Sequence, residues 1–109
     1  ATRTATALIE LVGREDDSDV LEAALHALLT LQGDASLPWD VVVRALPKLD
    51  TLPCLSYALT ILGATGDPRL EATLRGYLDR AEPHIRAAAS EGLTDLAFRA
   101  RDRDGLTAR

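Results

Sequence analysis

The stretch "LGATGDPRLEATL" (62–74) decides the fold, because one apolar segment ends within it and another begins. Asp67 followed by Pro68 is a favoured helix N-cap with proline at the first helical position. Gly66 suits a backbone turn, and Glu71 lies in the first helical turn, where the helix dipole favours an acid. No glycine cluster follows a strand, so a phosphate-binding loop is not indicated. The stretch therefore predicts a joint between two helices.

A helix–turn–helix unit of about 33 residues recurs three times along the chain, and the Gly-Asp pair at 33–34 returns at 66–67. Three segments share a template with apolar or small residues at i, i+3, i+4, i+7, i+8 and i+11, which is one helix face. These template segments, the second helices of the units, are 19–33, 51–66 and 83–97. The first helices are predicted at 6–12, 38–49 and 68–80. The predicted domain is 1–98, with repeats at about 5–33, 34–66 and 67–98, followed by a charged tail at 99–109.

Local signals predict how these helices begin and pack. Ser18 or Asp19 is expected to cap the second helix of the first unit, and Pro83 is expected to begin the last helix. The Val run at 41–43 is predicted to be the apolar face of a helix, since prolines bracket a run too short for a strand. Small residues at the centre of the template are expected to let neighbouring helices approach closely.

Bulk composition predicts one soluble, all-helical domain. Hydrophobic residues make up 47% of the 109 residues, aromatic residues only 4%, and no apolar run is long enough to span a bilayer. The net charge is −5, with four basic and nine acidic residues in 1–55 and eight of each in 56–109. An acidic first half disfavours nucleic-acid binding. The single cysteine, Cys54, indicates a reducing compartment, here the cytoplasm. The absence of methionine predicts a processed start or a fragment.

The sequence from 62 to 96 resembles a HEAT-like repeat of the subtype described from phycobilisome-lyase relatives. The residues that carry the resemblance are Leu62-Gly63, Gly66-Asp67-Pro68, Ile85-Arg86 and Ala87 to Ala89. The first two units depart from the pattern, with Leu21 in place of the arginine and Leu52-Pro53 at the matching place.

The resemblance implies an all-α fold, a short α-solenoid of about three HEAT-like repeats whose second helices line a concave face. It also implies that the usual role is to hold another macromolecule. The leading hypothesis is a bacterial-style, non-catalytic scaffold that binds a protein through its concave face or its N-terminal edge. An enzyme-accessory or lyase-like role is the alternative. A DNA glycosylase-like role is disfavoured, because the first half is acidic and Trp39 lies on a first helix rather than in the groove.

No catalytic, metal or cofactor site is predicted. His26 and His84 are far apart in sequence, and Cys54 is alone, whereas zinc requires three or four ligands. Ser56 and Ser90 lack the Gly-x-Ser-x-Gly turn of a hydrolase nucleophile. The acidic run at 15–19 lacks the spacing and glycine of an EF-hand, and it is interpreted as a turn before a helix.

The variable template positions predict a partner-binding surface across the second helices. Its central row is His26, Tyr57 and Glu91, in which the tyrosine is a plausible contact residue. The neighbouring rows contribute Glu22, Ile61 and Asp95. The alternative is that Tyr57 packs between helices and His26 is only solvated.

The first unit carries an additional apolar stripe, made of Leu21, Leu25 and Leu29. A terminal repeat normally presents a polar outer face, so the N-terminal edge is expected to be uncapped. The stripe is predicted either to pack on the first helix or to form an apolar interface. In the second case it meets a missing repeat, a second subunit in a homodimer, or a partner.

Overall fold

The computed structural model describes the backbone of residues 2–31 and 37–108, and the side chains of residues 3–31 and 37–101. Every regular element in these ranges is helical. The elements are α1 (Thr2–Arg14), α2 (Ser18–Thr30), α3 (Asp40–Leu49), α4 (Leu55–Ala64), a 3₁₀ turn (Pro68–Leu70), α5 (Glu71–Arg75) and α6 (Pro83–Ala108). The all-helical prediction is confirmed, including the helical assignment of the Val run at 41–43. The Gly33-Asp34 pair and the repeat boundary predicted there lie outside the described residues.

The joint between the second and third units has the predicted chemistry. Gly66 has a φ of 68°, in the left-handed region that glycine occupies at no steric cost. The Asp67 carboxylate accepts a hydrogen bond from the backbone N–H of Arg69 at 3.0 Å, so Asp67 is the N-cap. Pro68 follows at the first helical position. The sharp stop and restart is therefore a glycine turn followed at once by a capped helix start.

The first helix of the third unit is shorter than the sequence predicts. The segment 68–80 contains the 3₁₀ turn, the five-residue helix α5 and a series of turns. The N–H of Gly76 bonds to the carbonyl of Ala72, the last α-helical bond, and the N–H of Tyr77 bonds to Leu74 in a tighter turn. Glycine is a poor helix former, and α5 keeps only one fully buried side chain, Leu74, to anchor it.

Two helix ends differ from the predictions. The N-cap of α2 is Asp17, whose carboxylate accepts from the backbone N–H groups of Asp19 at 2.9 Å and Val20 at 3.2 Å. The prediction of Ser18 or Asp19 was wrong, because all three are good caps and sequence alone does not rank them. At the other end of the chain, α6 begins at Pro83 as predicted but continues to Ala108, through the segment expected to be a tail.

The helices form two sets of contacts. Among the first helices, α1 contacts α3, and among the second helices α4 lies between α2 and α6. The sets are joined where α1 meets α2, α3 meets α4 and α5 meets α6. Each helix contributes a fully buried side chain to one shared core, for example Ile9, Leu25, Leu49, Leu59, Leu74 and Ile85.

Two glycines allow α4 and α6 to cross closely. A Cβ atom added to Gly63 would lie 2.5 Å from the Cα of Gly92, a distance that real Cβ atoms do not reach. A Cβ added to Gly92 would lie 3.0 Å from the backbone oxygen of Leu59. The prediction that small template residues permit close approach is confirmed at this crossing, which is the most extensive helix pair in the described chain.

Lys48 of α3 caps the C-terminal end of α1. Its Nζ donates to the carbonyl oxygens of Val12 at 2.8 Å, Gly13 at 3.3 Å and Glu15 at 2.8 Å. The last carbonyls of a helix have no intrahelical donor and carry the negative end of the helix dipole, which a cation stabilises. Lys48, the only lysine in the sequence, therefore links α3 to the C-terminal end of α1.

Replacing Lys48 with methionine is expected to lower the free energy of unfolding by about 1–2 kcal/mol. Methionine keeps the apolar stem and removes the donors. Arg44→Met is the matched control, since the Arg44–Asp40 ion pair is 70% and 67% exposed and contributes less than about 1 kcal/mol. Urea unfolding followed by circular dichroism measures both variants. Equal losses in the two variants would contradict the capping role.

Arg80 connects two interhelical turns. Its guanidinium contacts the Asp50 carboxylate at 2.5 Å and the Glu82 carboxylate at 2.9 Å, and it lies 5.8 Å from the centre of the Tyr77 ring. Arg86 then closes the turn by donating to the carbonyl oxygens of residues 80 and 81, at 2.8 and 2.9 Å. Arginine 86 thus orders the start of α6 rather than presenting a free charge.

The hydrogen bonds from Arg80 hold the pKa of Glu82 below its ordinary value. Because the folded pKa is the lower one, this pair stabilises the fold above the unfolded pKa. The contribution is lost as pH falls through the folded value. We expect Arg80→Gln to return the Glu82 pKa toward its ordinary value in an NMR titration of the side-chain carboxyl. An unchanged titration midpoint would show that Arg80 does not bind Glu82 in solution.

Candidate functional site

The described residues contain no group suited to metal binding. No three His, Cys, Asp or Glu side chains in residues 3–31 and 37–101 lie close enough together to hold a metal ion. Cys54 is buried, and burial raises the pKa of its thiol above the ordinary value, which makes the thiol a weaker nucleophile at neutral pH. In the same part of the chain, none of the helices combines the length and apolarity needed to cross a bilayer.

His26 of α2 and Tyr57 of α4 meet at the surface. Their rings pack edge to face, with centroids 5.8 Å apart and planes at 70°. His26 is exposed and Tyr57 is partly buried against the core. Tyr57 packs against the core, as the alternative interpretation has it, and its ring also forms a pair with His26. Two members of the predicted central row are therefore in contact.

Two further predicted contact residues are exposed, Glu22 on α2 and Glu91 on α6. Glu22 is exposed one turn before His26 on α2, and its charge contributes to the raised pKa of Cys54 at the start of α4. Glu91 is exposed on α6, directly before Gly92 of the α4 crossing. Glu22, His26, Tyr57 and Glu91 are called the central strip below.

Two predicted contact residues take other roles. Ile61 is only 3% exposed and belongs to the core, so its prediction as a surface contact was wrong. The reason is that α4 has neighbours on both sides, which buries a wider arc of its surface than on α2. Asp95 is partly buried, and its carboxylate accepts from Arg99 at 2.9 Å on the same helix. Its charge is therefore already compensated.

The predicted apolar interface is part of the core. Leu21 and Leu25 are fully buried, and Leu29 is partly buried against the same cluster. Since α2 contacts both α1 and α4, the first alternative, packing within the chain, is correct for this stripe. Leu21 and Leu25 therefore offer no surface to a missing repeat or a second subunit.

A different side of α2 remains open. Val20 is 38% exposed and Ala23 is exposed, although the template placed both on the buried face. The matching template residues of α6, Ile85 and Ala88, are buried. The template is therefore correct for α6, and for α2 it is correct at Ala24 and Leu28 but wrong at Val20 and Ala23. Val20 and Ala23, where the template is wrong, are called the open N-terminal edge. The leucine stripe is not part of this edge.

Sequence reasoning missed Phe98, which is 71% exposed on α6. It follows Glu91 by seven residues, so both side chains lie on the same helix face. The helical spacing was readable in the sequence. The predicted last helix ends at 97 and the predicted tail begins at 99, so the continuation of α6 through Phe98 to Ala108 was not expected.

A groove of about 570 Å³ opens between α1 and α3. It is lined by Glu10, Gly13, Asp16, Val41, Arg44, Ala45 and Lys48. Acidic and basic side chains are mixed here, and the amine of Lys48 is already bound to backbone carbonyls. The groove therefore does not carry charge of a single sign.

No protein-family model, no curated protein and no solved structure matches this chain.

Proposed function

We propose that the chain is a non-catalytic interaction module, a short α-solenoid of HEAT-like helix pairs that binds a partner protein in the cytoplasm. The pattern of helix contacts supports this architecture. First helices α1 and α3 pack together, second helices α2, α4 and α6 pack in order, and each pair is joined internally. That order is typical of repeats that contact only their neighbours.

The observation that carries the proposed function is the aromatic pair of His26 and Tyr57. It spans two adjacent second helices at the surface, where a rigid ring gives contact area at little cost in conformational entropy. The carboxylates of Glu22 on α2 and Glu91 on α6 are also exposed. In the proposed solenoid the aromatic pair is the middle of the concave face.

A photo-crosslinking amino acid at each of two positions tests this function. At position 26 we expect covalent capture of a partner protein, abolished when Tyr57→Ala is added. The control carries the same group at position 44, which lies on α3 and lines the α1–α3 groove. Equal capture at both positions, or capture unaffected by Tyr57→Ala, would contradict binding through the central strip. A circular dichroism spectrum checks that each variant is folded.

The open N-terminal edge is a second candidate contact surface, because Val20 and Ala23 are exposed where the matching residues of α6 are covered. Light scattering at two protein concentrations tests it as a homodimer contact. We expect the mass to rise with concentration and to return to the monomer value in Val20→Glu. A constant monomer mass would remove this surface as a contact between copies.

A further inference from the structure

One face of α4 is the surface on which α6 packs. Gly63 lies at the centre of this contact, where a Cβ would meet the backbone of Gly92. Ser56 and Thr60 share the helix face of Gly63, since they precede it by seven and three residues. Their hydroxyls donate to the backbone carbonyls of residues 53 and 56, at 3.3 and 3.0 Å. The face therefore offers small side chains whose donors are already bonded, which suits a closely packed helix.

The outer face of α6 repeats this surface. Ser90, Thr94 and Ala97 have the same spacing and the same order of residue types, a serine, a threonine and then a small residue, and all three are exposed. The Thr94 hydroxyl donates to the carbonyl of Ser90 at 3.0 Å, as its counterpart does on α4. Because side chains advance by about 100° per residue in a helix, this face lies opposite Gly92 and the α4 crossing. Ser90, Thr94 and Ala97 are called the C-terminal edge below.

The open N-terminal edge resembles the other half of the same contact. The α6 side of the crossing uses template positions i, i+3 and i+7, which hold the buried residues Ile85, Ala88 and Gly92. The same positions of α2 hold Val20, Ala23 and Ala27. Val20 and Ala23 are exposed and Ala27 is partly exposed. Helix α2 therefore presents the kind of aliphatic and small face that α4 receives from α6, and this face is accessible.

We propose that the C-terminal edge of one copy packs on the open N-terminal edge of a second copy, in the way that α4 packs on α6. The order α2, α4, α6 then continues into α2 of the next copy. This inference rests on the proposed function in taking the open N-terminal edge as a contact surface, and it adds the surface that this edge meets. Since the two surfaces differ, the contact is head-to-tail, and each copy keeps one edge for a further copy.

Charge favours this head-to-tail contact over a symmetric one. The first unit, 1–33, contains two basic and six acidic residues, whereas the segment 99–109, into which α6 continues, contains four basic and two acidic residues. A contact between two open N-terminal edges would bring two acidic units together, with Asp19 and Glu22 beside each edge, and like charges are destabilising at an interface. The head-to-tail contact instead brings an acidic unit to the helix that carries the basic segment. Arg101 is exposed one turn beyond Ala97 on the same side of α6.

Light scattering of two edge variants, alone and mixed, tests the inference. Val20→Glu places a carboxylate in the open N-terminal edge, and Ala97→Arg places a guanidinium in the C-terminal edge. We expect the wild type to exceed the mass of a dimer as concentration rises, and each variant alone to self-associate at least about tenfold more weakly. An equimolar mixture of the variants should form a dimer and nothing larger, because each variant retains one intact edge. A circular dichroism spectrum checks that each variant is folded.

The controls Arg44→Gln and Asp40→Asn make the same changes in net charge on α3, and they should associate as the wild type does. Equal losses in these controls, or a mixture that stays monomeric, would overturn the inference. If Ala97→Arg associates normally while Val20→Glu does not, the contact is symmetric. The inference is then wrong, and the open N-terminal edge of the proposed function stands. A wild type that stays monomeric removes both, while crosslinking at position 26 still decides the central strip.

Discussion

Replacing Gly63 with alanine is expected to lower the free energy of unfolding by at least about 2 kcal/mol, although alanine is the better helix former by about 1 kcal/mol. The added Cβ would meet the backbone of Gly92, and its distance to the Cα of that residue would be 2.5 Å. Backbone atoms cannot rotate away as a side-chain end can. Helices α4 and α6 must therefore separate, which weakens the packing of Leu59 and Leu62.

A graded series makes this expectation specific to the crossing. Gly92→Ala places its Cβ 3.0 Å from the Leu59 oxygen, so a smaller loss is expected. Gly76 is exposed, and a Cβ added there would have the Thr73 oxygen as its nearest contact, at 3.3 Å. The free energy of unfolding of Gly76→Ala should therefore change by no more than about 1 kcal/mol. Thermal unfolding should give a fall of about 10 °C for Gly63→Ala. Equal melting temperatures for the three variants would show that the helices do not cross this closely.

Much of the fold was readable from the sequence because its signals are local. Asp67-Pro68 and Pro83 mark helix starts through the chemistry of their own backbone, and apolar spacing gives the number and type of helices. The short helix α5 was not predictable, because the leucine period continues beyond the point where Gly76 ends the helix. The role of Gly63 was hidden for another reason. It is set by Gly92, which is distant in sequence and meets it only in the folded chain.

The candidate site was predictable to the extent that equivalent template positions lie side by side. His26 and Tyr57 share one position, and their rings are in contact. Ile61 was misassigned because a template treats every second helix alike, whereas α4 is enclosed between two neighbours. The leucine stripe of α2 was ambiguous for the opposite reason. Which arc of a terminal helix is buried depends on where α1 packs, and a single helix sequence does not contain that information.

Leu25→Ala tests whether the leucine stripe of α2 belongs to the core. This substitution is expected to lower the free energy of unfolding by about 3–5 kcal/mol. Leu25 has no exposed surface and lies in the core with Leu21 and Leu28, so truncation removes apolar burial and leaves a cavity. Domains of this size have a total stability of about 5–15 kcal/mol, so the variant is close to the limit of folding at 37 °C. Urea unfolding at two protein concentrations is the measurement.

The dependence on concentration distinguishes a core residue from an interface residue. If Leu25 packs within one chain, the midpoint of unfolding shifts by the same amount at both concentrations, because no association equilibrium is involved. If it formed a contact between copies, the wild-type midpoint would fall on dilution while that of the variant would not, so the loss caused by Leu25→Ala would shrink. Leu29→Ala, at a partly buried position, should lose less, and Val20→Ala, 38% exposed, should change by less than about 1 kcal/mol. A reversed order would return the leucine stripe to the surface and make it the N-terminal contact.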